Sequence, residues 1–140
     1  MGITFANVEL ISGDDLTLFR LGYIPEERIK RIEVKALVDT GATMLAITEW
    51  IKNQLNLFKV DEQEAEIGDG SFVKLEIVGP VDVRFENRRT TVNAMVVPYE
   101  TDVLLGAIPL QDLDVLVDPK NERLIVNPDS PDIARKDRKS

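Results

Sequence analysis

The sequence predicts an all-β domain of short strands with one or two short helices, and three observations carry that expectation. Apolar and polar residues alternate with period two along Ile32-Glu33-Val34-Lys35-Ala36-Leu37-Val38 and along Val81-Asp82-Val83-Arg84-Phe85, as in strands with one face turned to a core. Turn-forming residues recur at short intervals between the apolar runs. The 140 residues match the roughly 100–150 residues of a common single domain, so one core is expected and not two.

Taken along the chain, strands are expected at residues 4–11, 16–21, 32–38, 65–67, 72–78, 81–85, 90–97, 103–105, 115–117 and 124–126. Asp69-Gly70, Glu86-Asn87-Arg88 and Asp118-Pro119-Lys120-Asn121 supply the backbone angles of hairpin turns, so sequential neighbours are expected to pair. Residues 48–55 read as a helix capped by Thr48, with Glu49 near its positive end and Trp50 as a packing residue. Residues 109–113 begin with Pro109, which suits a first helical turn. One domain is expected over residues 1–128. Residues 129–140 form a polar tail, expected to fray unless a partner subunit holds it.

Composition removes whole chemistries. With 44% hydrophobic and 30% charged residues the chain has enough apolar surface to fold. It contains neither cysteine nor histidine, which excludes disulfides, a thiolate nucleophile, a Ser-His-Asp triad and the usual zinc ligands. No metal and no cofactor is expected. Any acid–base chemistry near neutral pH falls to carboxylates, a lysine or a tyrosine. A formal net charge of −8 argues against nucleic acid or a membrane as partner. The opening residues show no basic leader with an apolar core, and no run reaches the ~20 apolar residues of a membrane span, so a cytoplasmic protein is expected.

One segment stands out. Ala36-Leu37-Val38-Asp39-Thr40-Gly41-Ala42 sets a carboxylate directly after an apolar strand, where a charge needs a hydrogen-bonding partner or a function. On its own, such a segment is most often a strand end turning through an Asp or Thr motif. It is followed in order by Gly68-Asp69-Gly70-Ser71 at a hairpin tip, starting from Ile67 and ending at Phe72, and by Asp102-Val103-Leu104-Leu105-Gly106 before a short helix.

These three features together resemble the retropepsin-like aspartic proteases, the single-lobe retroviral type, over roughly residues 30–127. The resemblance implies a single-lobe acid-protease fold, a closed or partly closed β-barrel. The chain has one Asp-Thr-Gly where a two-lobe enzyme has two such loops, so the resemblance implies a homodimer in which Asp39 of each copy supplies half of a catalytic pair. Two adjacent carboxyls would share one proton, one activating water while its twin polarises the scissile carbonyl. Thr40 would brace the pair across the two-fold axis and Gly41 would bond the substrate backbone. Ala42 would leave room for a substrate side chain, while Gly68, Asp69, Gly70 and Ser71 would close over the peptide as a flap. Gly106 would let its strand pass close beside the Asp39 loop.

Two positions depart from the family pattern. Retroviral enzymes carry Asp after the Ala of the loop and Arg after the Gly of the second signature, forming an ion pair near the dimer interface; here Thr43 and Ala107 stand there. Losing both strands neither charge. The expected activity is an aspartic endopeptidase acting on a peptide or protein substrate. The alternative is a catalytically inert dimeric peptide-binding or assembly module on the same fold.

Overall fold

The computed structural model describes residues 3–66 and 68–135. Seven strands form one sheet that closes on itself. β1 (Phe5–Ser12) is the hinge of the closure, because it pairs antiparallel with β2 (Arg31–Val38) along one edge and with β5 (Phe72–Phe85) along the other. Between those edges run β7 (Leu104–Leu105), β3 (Leu45–Thr48) and β6 (Arg88–Val97), in the order β1-β2-β7-β3-β6-β5. Only β4 (Phe58–Glu66), paired with β5, projects as an edge strand. The protein is thus mainly β, and its sheet is ring-like. Closure leaves few unpaired strand edges for other chains to join.

Period-two patterning explains what faces inward. Ala6, Val8 and Leu10 of β1 are buried, as are Val81, Val83 and Phe85 of β5, and they meet Leu45, Ile47, Ala94 and Leu105 in one core. Each full burial of a Val, Leu, Ile or Phe side chain among them contributes roughly 1.5–3 kcal/mol. The β5 register shifts between Val78 and Val81, around Gly79 and Pro80. Its first half pairs with β4 and its second half with β1. One continuous strand therefore replaces the two expected at 72–78 and 81–85.

Pairing is only partly sequential. β1–β2, β4–β5 and β5–β6 are sequential antiparallel neighbours, but the ring is closed by β1–β5, by parallel β2–β7 and β3–β6 pairs, and by a single β3–β7 pairing. The expectation of purely sequential pairing is corrected on that point. A separate two-stranded sheet follows, β8 (Val115–Asp118) with β9 (Arg123–Val126).

Residues 16–21, expected as a strand, lie instead mostly in helix α1 (Gly13–Arg20). Ser12 accepts a hydrogen bond from the Asp15 amide at 3.2 Å, and Asp14 and Asp15 sit in the first turn. The cap and the favourable charges there override the apparent alternation of Leu16, Leu18 and Phe19. α2 (Glu49–Gln54) is capped by Thr48 as expected, its hydroxyl accepting from the Ile51 amide at 3.4 Å. Trp50, expected to pack, is 55% exposed. α3 (Ala107–Leu113) begins two residues ahead of Pro109.

The chain beyond Asn127 is tied to the body through residue 135. Ser130 is buried, its carbonyl accepts from the buried Arg88 guanidinium, and its hydroxyl donates to Asp114. Asp114 also accepts from the Arg135 amide at 2.7 Å and from the Asn127 side chain at 2.9 Å. Fraying from residue 129 is therefore not what residues 129–135 show; the rest of the expected tail, 136–140, lies outside the described residues. No described helix is long and apolar enough to cross a membrane.

Candidate active site

β2 carries Asp39 to the rim of the barrel. Three backbone bonds fix the approach: the Leu37 amide to the Val103 carbonyl at 2.7 Å, Val38 to Thr4 at 2.8 Å and Asp39 to Leu105 at 3.1 Å. The chain then turns, with the Ala42 amide donating to the Asp39 carbonyl at 3.1 Å. Inside that turn the Gly41 amide donates to Asp39 Oδ1 at 3.0 Å. A carboxylate held by a backbone N–H is a charge-assisted bond and fixes the side-chain orientation. A Cβ at Gly41 would lie 3.3 Å from that same oxygen, so glycine keeps the carboxylate unencumbered. Asp39 remains half-buried and Thr40 exposed. Neither Oδ2 of Asp39 nor the Thr40 hydroxyl has a partner among the described residues.

A second segment braces the loop from behind. β7 lies parallel to β2, with Leu105 beside Val38, and leads through Gly106 into α3. The Ala107 amide donates to the Ala42 carbonyl at 2.8 Å, and the Ile108 amide to Thr43 at 2.9 Å. Amides in the first turn of a helix have no partner inside it; here the Asp39 loop satisfies two of them. The approach is close enough to exclude a side chain. A Cβ on Gly106 would sit 2.8 Å from the Thr43 carbonyl carbon, 2.9 Å from the Ala42 oxygen, and against the Met44 oxygen. The role expected of Gly106 is what the structure shows. Thr43 and Ala107, the two departures from the retroviral pattern, flank this crossing, where backbone hydrogen bonds join the two segments.

Beside the loop opens a cleft of about 360 Å³. Ala42, Thr43 and Met44 line it from the Asp39 loop, Gln63, Ala65 and Glu66 from β4, and Leu75 from β5. The β4–β5 hairpin thus stands across the cleft from the loop, where a flap was expected. Its register ends with Glu66 opposite Phe72. At the tip, Gly70 adopts φ +84°, a left-handed conformation natural to glycine. Asp69 Oδ1 accepts from the Ser71 amide at 2.9 Å and from its hydroxyl at 2.5 Å. Those two bonds, the hydroxyl first, hold the Asp69 carboxyl below its ordinary pKa. Ile67 lies outside the described residues.

Of the residues expected to meet substrate, Ala42 lines the cleft, whereas Gly41, Gly68, Asp69, Gly70 and Ser71 do not. Leu104, from the second signature, lines it, as do Met44, Leu75, Met95 and Tyr99, none of which was singled out from the sequence. Met44 lies two residues beyond Ala42 of the Asp39 motif and could have been found by proximity. Met95 arrives through the β3–β6 pairing, where it stands opposite Ala46, and no local pattern announces it.

A family model described as gag-polyprotein putative aspartyl protease matches residues 26–120. The match covers Asp39, the β4–β5 hairpin and Gly106, and the chain belongs to this family. No curated protein matches the sequence. Membership in this family points to hydrolase chemistry.

Proposed function

We propose that this protein is one half of an aspartic endopeptidase, completed when two copies bring their Asp39 loops together about a two-fold axis. The observation that carries the reading is the Asp39 turn: a carboxylate oriented by the Gly41 amide, at the barrel rim, beside a cleft bounded by a hairpin. One chain supplies one such turn. The unpartnered Oδ2 of Asp39 and the unpartnered, exposed Thr40 hydroxyl fit groups that find their partners on a second copy, and an isologous contact sets identical loops face to face.

In the dimer, one Asp39 carboxylate takes a proton from water as the water oxygen adds to the scissile carbonyl carbon. The other Asp39, protonated, donates to the carbonyl oxygen. Collapse of the resulting diol breaks the C–N bond, the proton passes to the amine nitrogen, and a carboxylic acid and an amine leave. The Gly68, Asp69, Gly70 and Ser71 tip covers the peptide during this step and keeps bulk water out.

The test is cleavage of a peptide library by the wild-type chain and by Asp39→Asn, with sedimentation measured at the assay concentration. The reading expects cleavage by a dimer, lost in the variant. A protein that cleaves only as a monomer, or an Asp39→Asn variant that cleaves as well as wild type, overturns it. A dimer that binds peptides and cuts none favours the peptide-binding module.

A further inference from the structure

The cleft beside the Asp39 loop has a composite lining. Its walls include Met44, Leu75, Met95 and Leu104, while Tyr99 and Glu66 also contribute to its surface and are themselves exposed. Ligand sites run from roughly 300 to 1,000 Å³, so about 360 Å³ has room for a side chain and not for a whole peptide strand. Methionine adapts to the shape of what it covers, so two of them make a wall that suits an unbranched stem. Among the described residues no lysine or arginine lines the cleft.

Glu66 is the charged residue among those lining the cleft, while Lys74 of β5 stands opposite Glu64. Glu66 has no hydrogen bond or ion pair among the described residues. Between Phe58 and Phe72 the hairpin carries Asp61, Glu62, Glu64, Glu66 and Asp69 against Lys59 alone, and Lys59 is already paired with Glu62 at 3.2 Å. An acidic side chain entering the cleft meets repulsion. A purely apolar one fills the walls and leaves Glu66 unused. Lysine and arginine match both parts, because their methylene stems lie along apolar surface while the charged head stays near water, and an aromatic face such as that of Tyr99 attracts a cation.

We propose that this cleft selects peptides by a lysine or arginine side chain, its stem against Met44, Leu75, Met95 and Leu104 and its cation held by Glu66 and Tyr99. The proposal rests on the peptidase reading for its substrate class, and makes Glu66 the residue that sets charge preference. An exposed ion pair and a cation–aromatic contact together correspond to a preference of about 3- to 20-fold over an uncharged stem of the same length.

The experiment uses the full-length chain carrying Asp39→Asn, so that binding is read apart from cleavage, with folding checked by circular dichroism. Fluorescein-labelled decapeptides of one apolar scaffold carry Lys, Arg, norleucine or Glu at a single position, moved through the scaffold, and are titrated by anisotropy. At the position that enters the cleft, Lys and Arg bind about 3- to 20-fold tighter than norleucine, with Glu weakest. The advantage shrinks in 1 M NaCl, where the Debye length falls to about 3 Å. Adding Glu66→Gln removes most of the Lys advantage over norleucine, while Glu66→Lys lets the Glu peptide overtake the Lys peptide. Norleucine binding as tightly as Lys at every position overturns the proposal, as does an order unchanged by Glu66→Lys or the absence of measurable binding by any peptide. Running the same peptides with the wild-type chain separates the two ideas. Charge-selective binding without cleavage refutes the peptidase and leaves the cleft preference standing, and cleavage without charge preference does the reverse.

Discussion

Replacing Gly106 with alanine should destabilise the protein far more than one methyl group ordinarily does. The backbone at Gly106 has φ −84°, which alanine adopts freely, so the cost is steric alone. The new Cβ would lie 2.8 Å from the Thr43 carbonyl carbon and 2.9 Å from the Ala42 oxygen, with the Met44 oxygen also in its path. All three are backbone atoms. They cannot rotate aside as a side chain does, and two of these residues, Ala42 and Thr43, are pinned by the Ala107 and Ile108 amides. Overpacking of a closed site costs roughly 1–3 kcal/mol, and a clash with three consecutive peptide units belongs at about 3 kcal/mol. For a domain of this size that lowers the Tm by about 10 °C or somewhat more. Thermal and urea unfolding followed by circular dichroism give the number, with Gly68→Ala as comparison. Gly68 has nothing within 4 Å of an added Cβ, so that variant should stay within about 0.5 kcal/mol of wild type. Equal midpoints for the two variants would refute the close-crossing argument. Relief of the clash also has to move the Asp39 loop, and a displacement of about 1 Å can cost on the order of a hundredfold in rate. Residual peptide cleavage in Gly106→Ala should therefore fall further than its folded fraction.

Asp39→Asn should abolish cleavage while unfolding at the wild-type midpoint or slightly above, since the amide keeps the shape and still accepts the Gly41 hydrogen bond; a fall of several degrees would make Asp39 a structural residue instead. Thr40→Val should leave the isolated fold within about 0.5 kcal/mol, because its hydroxyl has no partner among the described residues, yet weaken dimer formation in sedimentation; unchanged dimer affinity would remove Thr40 from the interface. Asp114 is lowered from its ordinary value to about 2 by the Ser130 hydroxyl first, then the Arg135 amide and the Asn127 side chain, with Arg88 adding a smaller effect. A carboxyl depressed on folding stabilises the native state above its unfolded pKa near 4, and that contribution is lost as pH falls from about 4 through about 2. Asp114→Asn, which tolerates the left-handed backbone there (φ 55°), should cost on the order of 1–2 kcal/mol at neutral pH after allowing for partial solvent contact. Its unfolding midpoint should also vary less between pH 4 and 2 than that of wild type, as urea titrations across that range would show.

What was legible in the sequence was whatever a single face of burial imprints. β1, β2 and the second half of β5 alternate because one side of each meets the barrel core, and they were readable from the chain. β4 was not, beyond its last residues, because seven of its first seven positions are exposed and a strand wet on both faces leaves no period. β3 failed for the opposite reason. All four of its residues are buried, and a short run without alternation carries no direction. In α1 the end signals held the information: Ser12 followed by Asp14 and Asp15 marks a helix start, and the alternating Leu16, Leu18 and Phe19 outweighed it wrongly, since Leu18 and Phe19 are each 39% exposed and serve no inner face.

At the candidate site, Asp39 and Gly106 were readable because their types are improbable where they stand: a carboxylate after an apolar strand, and a glycine before a helix. The residues that shape the cleft are ordinary in their own segments. Leu75, Met95 and Leu104 come from three different strands; Leu75 is joined to the others through the β5–β6 pairing, and Met95 and Leu104 meet through the β3–β6 and β3–β7 pairings that the chain makes over long separations. Those same pairings hold the Asp39 loop, since β7 bonds β2 on one side and β3 on the other. Asp39 loop and cleft wall are therefore built on one crossing. A substitution that shifts β7 should alter peptide preference and rate together, whereas one at Glu66, on the far arm, should alter preference alone.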